Sequence, residues 1–466
     1  MLKNQYKIFS NRKVKRVHFI GIGGAGMSVL ARIILALGFE VSGSDLRKNA
    51  ITERLLLSGA DIFQGHREEQ VDRADLVVYS SAVGPTNPEL VSARLRSVEI
   101  FHRSELLAEL MKCKKGIAVA GSHGKTSTSA MIAWILIESG RSPALALGGE
   151  VIGLEDHEGW GEGEYLVAEA DESDGSLARF SPVVEVITGL DLDHVDYYSG
   201  WEDLIETFQR FVGRLPEGGS LIIESVTPDL GRISREAGEV ITYGLSPSAQ
   251  VRAGRVSFGR IGSRFNVFEY DNELGEIVLG RPGTCNVTNC LGAIACCLKL
   301  GVPFRDIART LRSFRGVRRR LEIKSDTPVM IVEDYAHHPA EVAAALEAIR
   351  LTGPARLWCV FQPHRYSRTR HFFRELAGSL LAADRIILTD LYPAFEQPLP
   401  GVSSALILDT LREMNRPDAL LMEQSSIRSY LEAEVMEGDA VIIMGAGDIG
   451  HLAGELAIPY SKNISH

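Results

Sequence analysis

The stretch Gly121-Ser122-His123-Gly124-Lys125-Thr126 constrains this chain more than any other. It lies between an apolar run at 117–120, which predicts a strand, and a helical pattern at 127–138. A glycine turn between a strand and a helix binds phosphate, because backbone N–H groups and the helix dipole face the anion. Lys125 would reach the β- and γ-phosphates, and the Thr126 hydroxyl would bind Mg²⁺. The sequence therefore predicts a nucleoside triphosphate site.

The motif is a shortened one. Its long form has a glycine five residues before Gly124, where this chain has Val119. An ordinary strand-to-helix turn is the alternative interpretation. The helix that follows is apolar on nearly all sides, which is typical of a helix buried in a doubly wound α/β sheet and favours the phosphate loop.

Length and composition limit the classes of protein. A chain of 466 residues predicts about three domains. Its 60 acidic and 50 basic residues give a net charge of −10, which argues against nucleic-acid or membrane-surface binding. The six cysteines lack the paired spacing of a zinc site and predict reduced thiols in a cytoplasmic protein. We expect no signal peptide and no membrane-spanning segment.

A second glycine loop lies near the N-terminus. A strand at 17–20 leads into Gly21-Ile22-Gly23-Gly24-Ala25-Gly26 and a helix, and a second strand ends at Asp45. This is the pattern of a Rossmann-type unit in which an acid about twenty residues on holds a ribose hydroxyl. Alone, it predicts NAD or FAD and leaves an oxidoreductase open.

Ser80 and Ser81 follow a further strand of this segment, at 74–79. Small hydroxyl groups at the C-terminal end of a strand suit a diphosphate that crosses the sheet edge, although a capped turn explains them equally well. We expect the first domain to span residues 1–113.

Acidic residues follow two strands of the central segment. One strand runs into Glu169-Ala170-Asp171-Glu172-Ser173-Asp174, and another leads to Asp193-His194. Ligands of open α/β sheets bind at the carboxyl ends of strands, so these groups should converge on the phosphate loop and hold Mg²⁺. Solvated loops are the alternative.

Two features define the remaining organisation. A hairpin pattern around Asp271-Asn272-Glu273-Leu274-Gly275 predicts a small antiparallel insertion, and the basic stretch 314–320 predicts a linker. The central, P-loop ATPase-type domain then spans 114–321. The third domain, 322–466, shows four strands at 329–332, 357–361, 385–389 and 440–444, each followed by polar residues. Polar clusters at one sheet edge indicate a binding cleft.

Taken together, these motifs resemble the ATP-dependent Mur ligases of bacterial peptidoglycan synthesis. The resemblance covers nearly the whole chain. It rests on the segments 18–28, 121–126, 169–174, 193–194, 334–339, 361–370 and 390–400, which follow one another in the family's order.

The resemblance implies three α/β domains: an N-terminal Rossmann-like domain, a central ATP-binding domain and a C-terminal Rossmann-like domain. It also implies that the first glycine loop holds the UDP end of a muramoyl substrate instead of a nicotinamide. The muramoyl carboxylate attacks the γ-phosphate of ATP, and the amine of an amino acid then attacks the acyl phosphate. Expected partners are UDP-N-acetylmuramate, L-alanine and ATP with Mg²⁺ or Mn²⁺, for a monomer or a weak homodimer.

The family's site residues transfer to matching positions of this chain. Those expected to bind UDP are Gly23, Gly24, Ala25, Gly26, Asp45, Ser80 and Ser81. Those expected to bind ATP are Gly121, Ser122, His123, Gly124, Lys125, Thr126, Ser127, Asn289, Tyr335 and His337. Metal ligation is expected of Thr126, Glu169 and His194, and catalysis of Lys125, His194, His364, Arg365 and Arg368.

Three positions depart from the family pattern: Gly189, Cys285 and Phe395. None removes a charge that the chemistry needs. No lysine lies between Val195 and Val212, where related ligases carry a carbamylated lysine, and this fits the alanine-adding branch. Three alternatives remain: a ligase that recycles a whole tripeptide, an NAD-dependent oxidoreductase, and a non-catalytic nucleotide-binding protein.

Overall fold

The computed structural model describes residue 9 and residues 14–154, 159–192, 197–394 and 396–461. Asp193, His194 and Phe395 lie outside the described residues. Contacts divide the chain into two compact units, Met1–Arg252 with Phe268–Leu274 and Asn289–Thr310, and Ala253–Val267 with Gly275–Thr288 and Leu311–His466. The first unit thus contains the first predicted domain and most of the second.

The N-terminal sheet has five parallel strands in the order β3-β2-β1-β4-β5. The sheet order reverses between β1 and β4, so the glycine loop after β1 opens at the switch point, where α/β sheets bind ligands. The elements are β1 Arg16–Ile20, α1 Ala25–Ala36, β2 Glu40–Asp45, α2 Ala50–Leu57, β3 Asp61–Gln64, β4 Leu76–Tyr79, α3 Pro88–Leu95, β5 Glu99–His102 and α4 Arg103–Met111.

The central sheet has nine strands in the order β14-β13-β12-β11-β10-β9-β6-β8-β7. Its elements are β6 Lys115–Ala120, α5 Lys125–Glu138, β7 Ala144–Ala146, β8 Tyr165–Glu169, β9 Val184–Ile187, α6 Trp201–Val212, β10 Ser220–Glu224, α7 Leu230–Ile233, β11 Glu239–Gly244, β12 Val251–Gly259, β13 Gly262–Glu269, β14 Asn272–Leu279, α8 Thr284–Lys299 and α9 Phe304–Leu311.

Helix α5 begins at the phosphate loop and is buried along most of its length, from Thr126 to Leu136 apart from Ser127. Its apolar residues face several neighbours at once, which explains why the sequence shows no polar face. The predicted antiparallel hairpin is present as β12–β14, whose two-residue connections join antiparallel strands. These strands extend the central sheet through β11 and do not form a separate sheet.

The C-terminal sheet has six strands in the order β15-β16-β20-β17-β18-β19. The four predicted strands are present as β16, β17, β18 and β20, and β15 adds an antiparallel edge. The elements are β15 Glu322–Ser325, β16 Met330–Asp334, α10 Pro339–Arg350, β17 Leu357–Phe361, α11 Tyr366–Leu380, β18 Arg385–Leu388, α12 Ser404–Glu413, β19 Leu420–Leu421, α13 Gln424–Glu434, β20 Ala440–Met444 and α14 His451–Ser461.

Candidate active site

The phosphate loop depends on two glycines. Gly121 (φ +126°) and Gly124 (φ +81°) both occupy backbone conformations that side chains disfavour. A Cβ atom on Gly121 would lie 2.5 Å from the hydroxyl of Thr188, and one on Gly124 would lie 2.2 Å from the side-chain oxygen of Asn289. The loop therefore packs against the turn after β9 and against α8, and the structure brings the predicted Asn289 to the phosphate cradle.

Lys125 is held on this loop by three contacts. Its ammonium donates to the carbonyl oxygens of Gly121 at 2.6 Å and Ser122 at 3.2 Å, and to the carboxylate of Glu172 at 2.9 Å. The side chains of Lys125 and Glu172 are 14% and 2% exposed. The lysine predicted to neutralise phosphate charge thus forms a buried ion pair.

The charges around this pair decide its protonation. Burial lowers the pKa of Lys125, but the carboxylates of Glu172, Asp171 and Glu169 outweigh burial and raise it. Burial raises the pKa of Glu172 to about 7 even though Lys125 acts in the opposite direction. Lys125 therefore keeps its positive charge, while Glu172 changes protonation state near neutral pH.

The four acidic residues at the end of β8 and just after it divide between two sets of partners. Two contact the phosphate loop, and two contact loops of the N-terminal sheet. The contacts join Glu169 to Thr126 (2.9 Å), Glu172 to Lys125 (2.9 Å), Asp171 to Arg103 (2.6 Å) and Asp174 to Ser81 (2.6 Å). Successive acids of one short segment thus connect both predicted nucleotide sites.

Thr126 and Glu169 form the part of the predicted metal site that the structure describes. The Glu169 Oε2 atom accepts hydrogen bonds from the Thr126 hydroxyl at 2.9 Å and from the backbone N–H of Gly148 at 3.1 Å. A hydroxyl and a carboxylate beside a phosphate loop are the hard oxygen donors that Mg²⁺ prefers, so these residues fit the ion. No group of three or more His, Cys, Asp or Glu residues that could hold a metal occurs among the described residues.

The turn after β9 also contacts the phosphate loop. The Ser122 hydroxyl donates to the carbonyl of Asp191 at 2.8 Å, and the His123 ring lies 3.2 Å from the Asp191 carboxylate. Gly189 has φ +120°, and its carbonyl accepts from the N–H of Ser122. The family departure at Gly189 thus lies in a turn whose backbone favours glycine.

The N-terminal glycine loop is closed by Asp45. The carboxylate of Asp45 accepts from the N–H of Gly23 at 2.9 Å, and the carbonyl of Ser44 accepts from the N–H of Gly21 at 2.8 Å. The expected ribose acid thus also supports the loop. Ser80 lies at the end of β4, and the Ser81 hydroxyl contacts His102 at 3.1 Å as well as Asp174.

A buried network behind this loop has no counterpart in the sequence analysis. Glu89, which is 0% exposed, contacts His18 at 2.9 Å and His66 at 2.7 Å and accepts from the Ser44 hydroxyl at 2.6 Å. Burial would raise the pKa of Glu89, but the hydrogen bonds from His18 and Ser44 outweigh it and lower the pKa. No local pattern indicates this role, because the four residues come from separate elements.

Arg103 is a second residue of the candidate site that no sequence motif indicates. It lines a cavity of about 180 Å³ that extends from the first turn of α1 to Glu169 and Asp171. The guanidinium donates to Asp171 at 2.6 Å, and this charge lowers the pKa of Asp171 to about 2, although burial acts in the opposite direction. The apolar part of the lining is Val29, Leu30, Leu107, Ala146, Leu147 and Phe180.

The C-terminal unit contains its own polar cluster. His364 stacks on Tyr392 with ring centroids 5.7 Å apart and lies 5.7 Å from the ring of His337. Its Nδ1 atom lies 3.2 Å from an N–H of Arg368, which can only donate, so Nδ1 accepts and Nε2 carries the hydrogen. Burial, followed by the charges of His337 and Arg368, lowers the pKa of His364 to about 3.

Tyr335 and Arg365 belong to the same cluster. The Tyr335 ring lies 5.4 Å from the ring of His337, and the guanidinium carbons of Arg319 and Arg320 lie 4.8 and 5.0 Å from its centroid. Arg365 has φ +69°, and its N–H donates to the carbonyl of Tyr392 at 2.8 Å. Of the remaining family departures, Cys285 is a thiol whose pKa burial raises to about 12.

Comparison with known proteins defines the class. Models of the Mur ligase catalytic, middle and glutamate ligase domains match residues 16–115, 119–297 and 319–447. The chain belongs to the Mur ligase family and is an ATP-dependent ligase of peptidoglycan synthesis. The resemblance and the fold class predicted from the sequence are confirmed, and the oxidoreductase and non-catalytic alternatives are set aside.

The names of individual relatives are more specific than the family models. The chain is 41% identical to a UDP-N-acetylmuramate–L-alanine ligase of Syntrophus aciditrophicus, covering 97% of this chain and 96% of the relative. It is 44% identical to the ligase of that name from Desulfotalea psychrophila, covering 96% and 98%. The crystal structure of UDP-N-acetylmuramate–alanine ligase from Thermotoga maritima matches with a TM-score of 0.81 and 28% identity over 96% and 99% of the chains.

Proposed function

We propose that the protein joins L-alanine to UDP-N-acetylmuramate through an acyl-phosphate intermediate and releases ADP and phosphate. The observation that carries this proposal is the convergence of Lys125, Thr126 and Glu169 at one phosphate loop, in a chain similar over nearly its whole length to ligases of that name.

The first step brings a carboxylate to a triphosphate. Like charges repel, so catalysis needs fixed positive charge and alignment more than covalent help. Lys125 supplies that charge beside the γ-phosphate, and the N–H groups at the start of α5 receive the phosphates. Thr126 and Glu169 would hold a first Mg²⁺ or Mn²⁺ and His194 a second, and the charge of these ions would neutralise the phosphate oxygens.

The nucleotide sugar would span the two glycine loops. The loop at 23–26 with Asp45, Ser80 and Ser81 would hold UDP, and the cavity beside Arg103 would receive the muramoyl group. The guanidinium suits the muramoyl carboxylate, and the apolar side chains suit its methyl groups. In this arrangement the muramoyl carboxylate would face the γ-phosphate beside Glu169.

The second unit would bind the amino acid and part of the nucleotide. The cluster of His364, Arg365 and Arg368 offers two permanently charged guanidinium groups and one neutral N–H donor. Such groups suit the carboxylate of alanine and the oxygens of the acyl phosphate. Tyr335 and His337 of the same cluster would contact the nucleotide.

The function is tested by phosphate release with each substrate omitted in turn. We expect release only when UDP-N-acetylmuramate, L-alanine and ATP are all present, and no substitution of L-alanine by the tripeptide of the recycling reaction. Release with the tripeptide but not with alanine would identify the recycling ligase instead. Release without any amino acid would contradict both ligase reactions.

The remaining expectations concern assembly and location. Within the described residues, none of the helices has the length and hydropathy of a membrane-spanning segment. We propose a cytoplasmic monomer or weak homodimer without nucleic-acid or membrane partners. Light scattering of the purified chain tests the oligomeric state. The domain boundaries at 113 and 321 also stay predictions, and limited proteolysis tests them.

A further inference from the structure

The ammonium of Lys125 is fully occupied. A lysine has three N–H donors, and the three acceptors around Nζ are the carbonyls of Gly121 and Ser122 and the carboxylate of Glu172. A phosphate oxygen can therefore be bound only when at least one of these contacts is given up. The carboxylate is the charged one of the three and decides how readily the lysine is released.

Glu172 is fixed where it makes this contact. Its backbone carbonyl accepts from the Tyr198 hydroxyl at 2.6 Å and from the N–H of Gly175 at 2.9 Å. The residue is 1% exposed, so its carboxylate has little access to water when the lysine moves away. The main chain is thus anchored from two sides while the side chain reaches into the phosphate loop.

The charges around Glu172 oppose a second anion. Asp171 faces it from its own segment, Tyr198 faces it from the segment before α6, and Lys125 faces it from the phosphate loop. Lys125 is the cation that donates to its carboxylate. A triphosphate that draws this cation away removes an attraction that lowers the pKa of a buried carboxylate beside Asp171, which favours uptake of a proton.

We propose that Glu172 is a positioning residue that holds the Lys125 ammonium on the loop's own carbonyls and competes with the phosphates of the nucleotide for it. Glu172 thereby weakens nucleotide binding, and it draws the lysine back when the product nucleotide leaves. Bound nucleotide and a protonated Glu172 stabilise each other, so binding takes up protons near neutral pH.

The test measures nucleotide binding to the full-length chain without the sugar substrate or alanine. Isothermal calorimetry with ADP and with a non-hydrolysable ATP analogue compares the wild type with Glu172→Gln, which keeps the shape and removes the charge. Loss of a charge-assisted hydrogen bond that competes with the ligand should lower Kd about tenfold. Asp174→Asn is the matched control, because Asp174 belongs to the same acidic run but contacts Ser81.

A role limited to stability predicts a changed melting temperature without tighter binding of nucleotide. If the folded Glu172→Gln variant binds nucleotide as the wild type does, or more weakly, the proposal is wrong whatever its melting temperature. Because binding is measured with nucleotide alone, the outcome is independent of which amino acid the enzyme uses.

Proton uptake gives a second measurement that needs no variant. Binding of ADP to the wild type near pH 7 in buffers of different ionisation enthalpy should show net uptake of protons, and Glu172→Asp should retain part of it. No uptake by the wild type would also overturn the proposal, even if Glu172→Gln failed to fold.

Discussion

The hydroxyl of Thr126 donates a 2.9 Å hydrogen bond to the carboxylate of Glu169, 43 residues further along the chain. The contact joins the first turn of α5 to the end of β8, a helix and a strand that pack against each other in the central domain. It places two hard oxygen ligands side by side at the phosphate loop, as a Mg²⁺ site requires.

Replacing Thr126 tests its role as a metal ligand. Thr126→Val removes the hydroxyl at nearly constant shape, and we expect the Mg²⁺ concentration for half-maximal activity to rise at least about tenfold, as for the loss of one ligand contact. Thr126→Ser keeps the hydroxyl and should stay near the wild type. Equal metal dependence in both variants, measured by Mg²⁺ titration at saturating ATP, would argue against ligation by Thr126.

Removing the charge of Lys125 should act on the chemical step. We expect Lys125→Ala to raise the barrier by about 2.7–4 kcal/mol, by analogy with deletion of one preorganised donor. Single-turnover formation of ADP measures this step. Lys115→Ala is the control, since Lys115 pairs with Glu164 near the surface and should leave the rate unchanged.

Arg103 should govern the affinity for the nucleotide sugar. We expect Arg103→Ala to raise the KM for UDP-N-acetylmuramate by about 10- to 100-fold, the effect of losing a hydrogen bond to a charged group, with little change in the KM for ATP. Arg96→Ala removes an exposed arginine that pairs with Asp72 and is the matched control. A similar rise in both KM values would indicate that Arg103 only supports the domain.

Glu185 offers a test of stability that is separate from the site. It is 0% exposed in β9, and neither carboxylate oxygen has a hydrogen-bond partner among the described residues. Glu185→Met should raise the free energy of unfolding by about 1–3 kcal/mol, because it removes a buried unsatisfied group. Urea unfolding measures the change, and an unaltered phosphate release rate would show that the site is intact.

The pH dependence of the same residue has a definite sign. Burial raises the pKa of Glu185 well above its ordinary value of 4.5. The folded state then holds a proton that the unfolded state loses, so this group's contribution to stability is full below pH 4.5 and falls as pH rises toward the folded-state pKa. The stability advantage of Glu185→Gln over the wild type should therefore grow from pH 4.5 to 8, and a constant difference would contradict the raised pKa.

Motifs that act locally could be predicted from the sequence. The phosphate loop needs glycines with positive φ, a lysine and a hydroxyl within six positions, directly after a strand, and all of these are adjacent in the chain. The first glycine loop and the acidic run after β8 are similar cases. The family resemblance then followed from the order of such motifs.

Other parts of the site could not be predicted in this way. Glu89 lies 71 residues from His18, and Arg103 lies 68 residues from Asp171, and neither pair forms a motif. The antiparallel hairpin was predicted as a small insertion in the domain, but the addition of its first strand to the central sheet through β11 was not predicted. Strand addition depends on free backbone groups at a sheet edge, which no side-chain pattern reveals.

The sequence by itself determined which groups are available for chemistry and the order in which strand ends deliver them. Only the tertiary structure decided how the acids of one six-residue segment are shared, with Glu172 on Lys125 and Asp171 on Arg103. The physical reason is that a carboxylate pairs with whichever buried cation the packing brings within hydrogen-bond distance. That distance is set by sheet order and loop conformation, and spacing along the chain does not fix it.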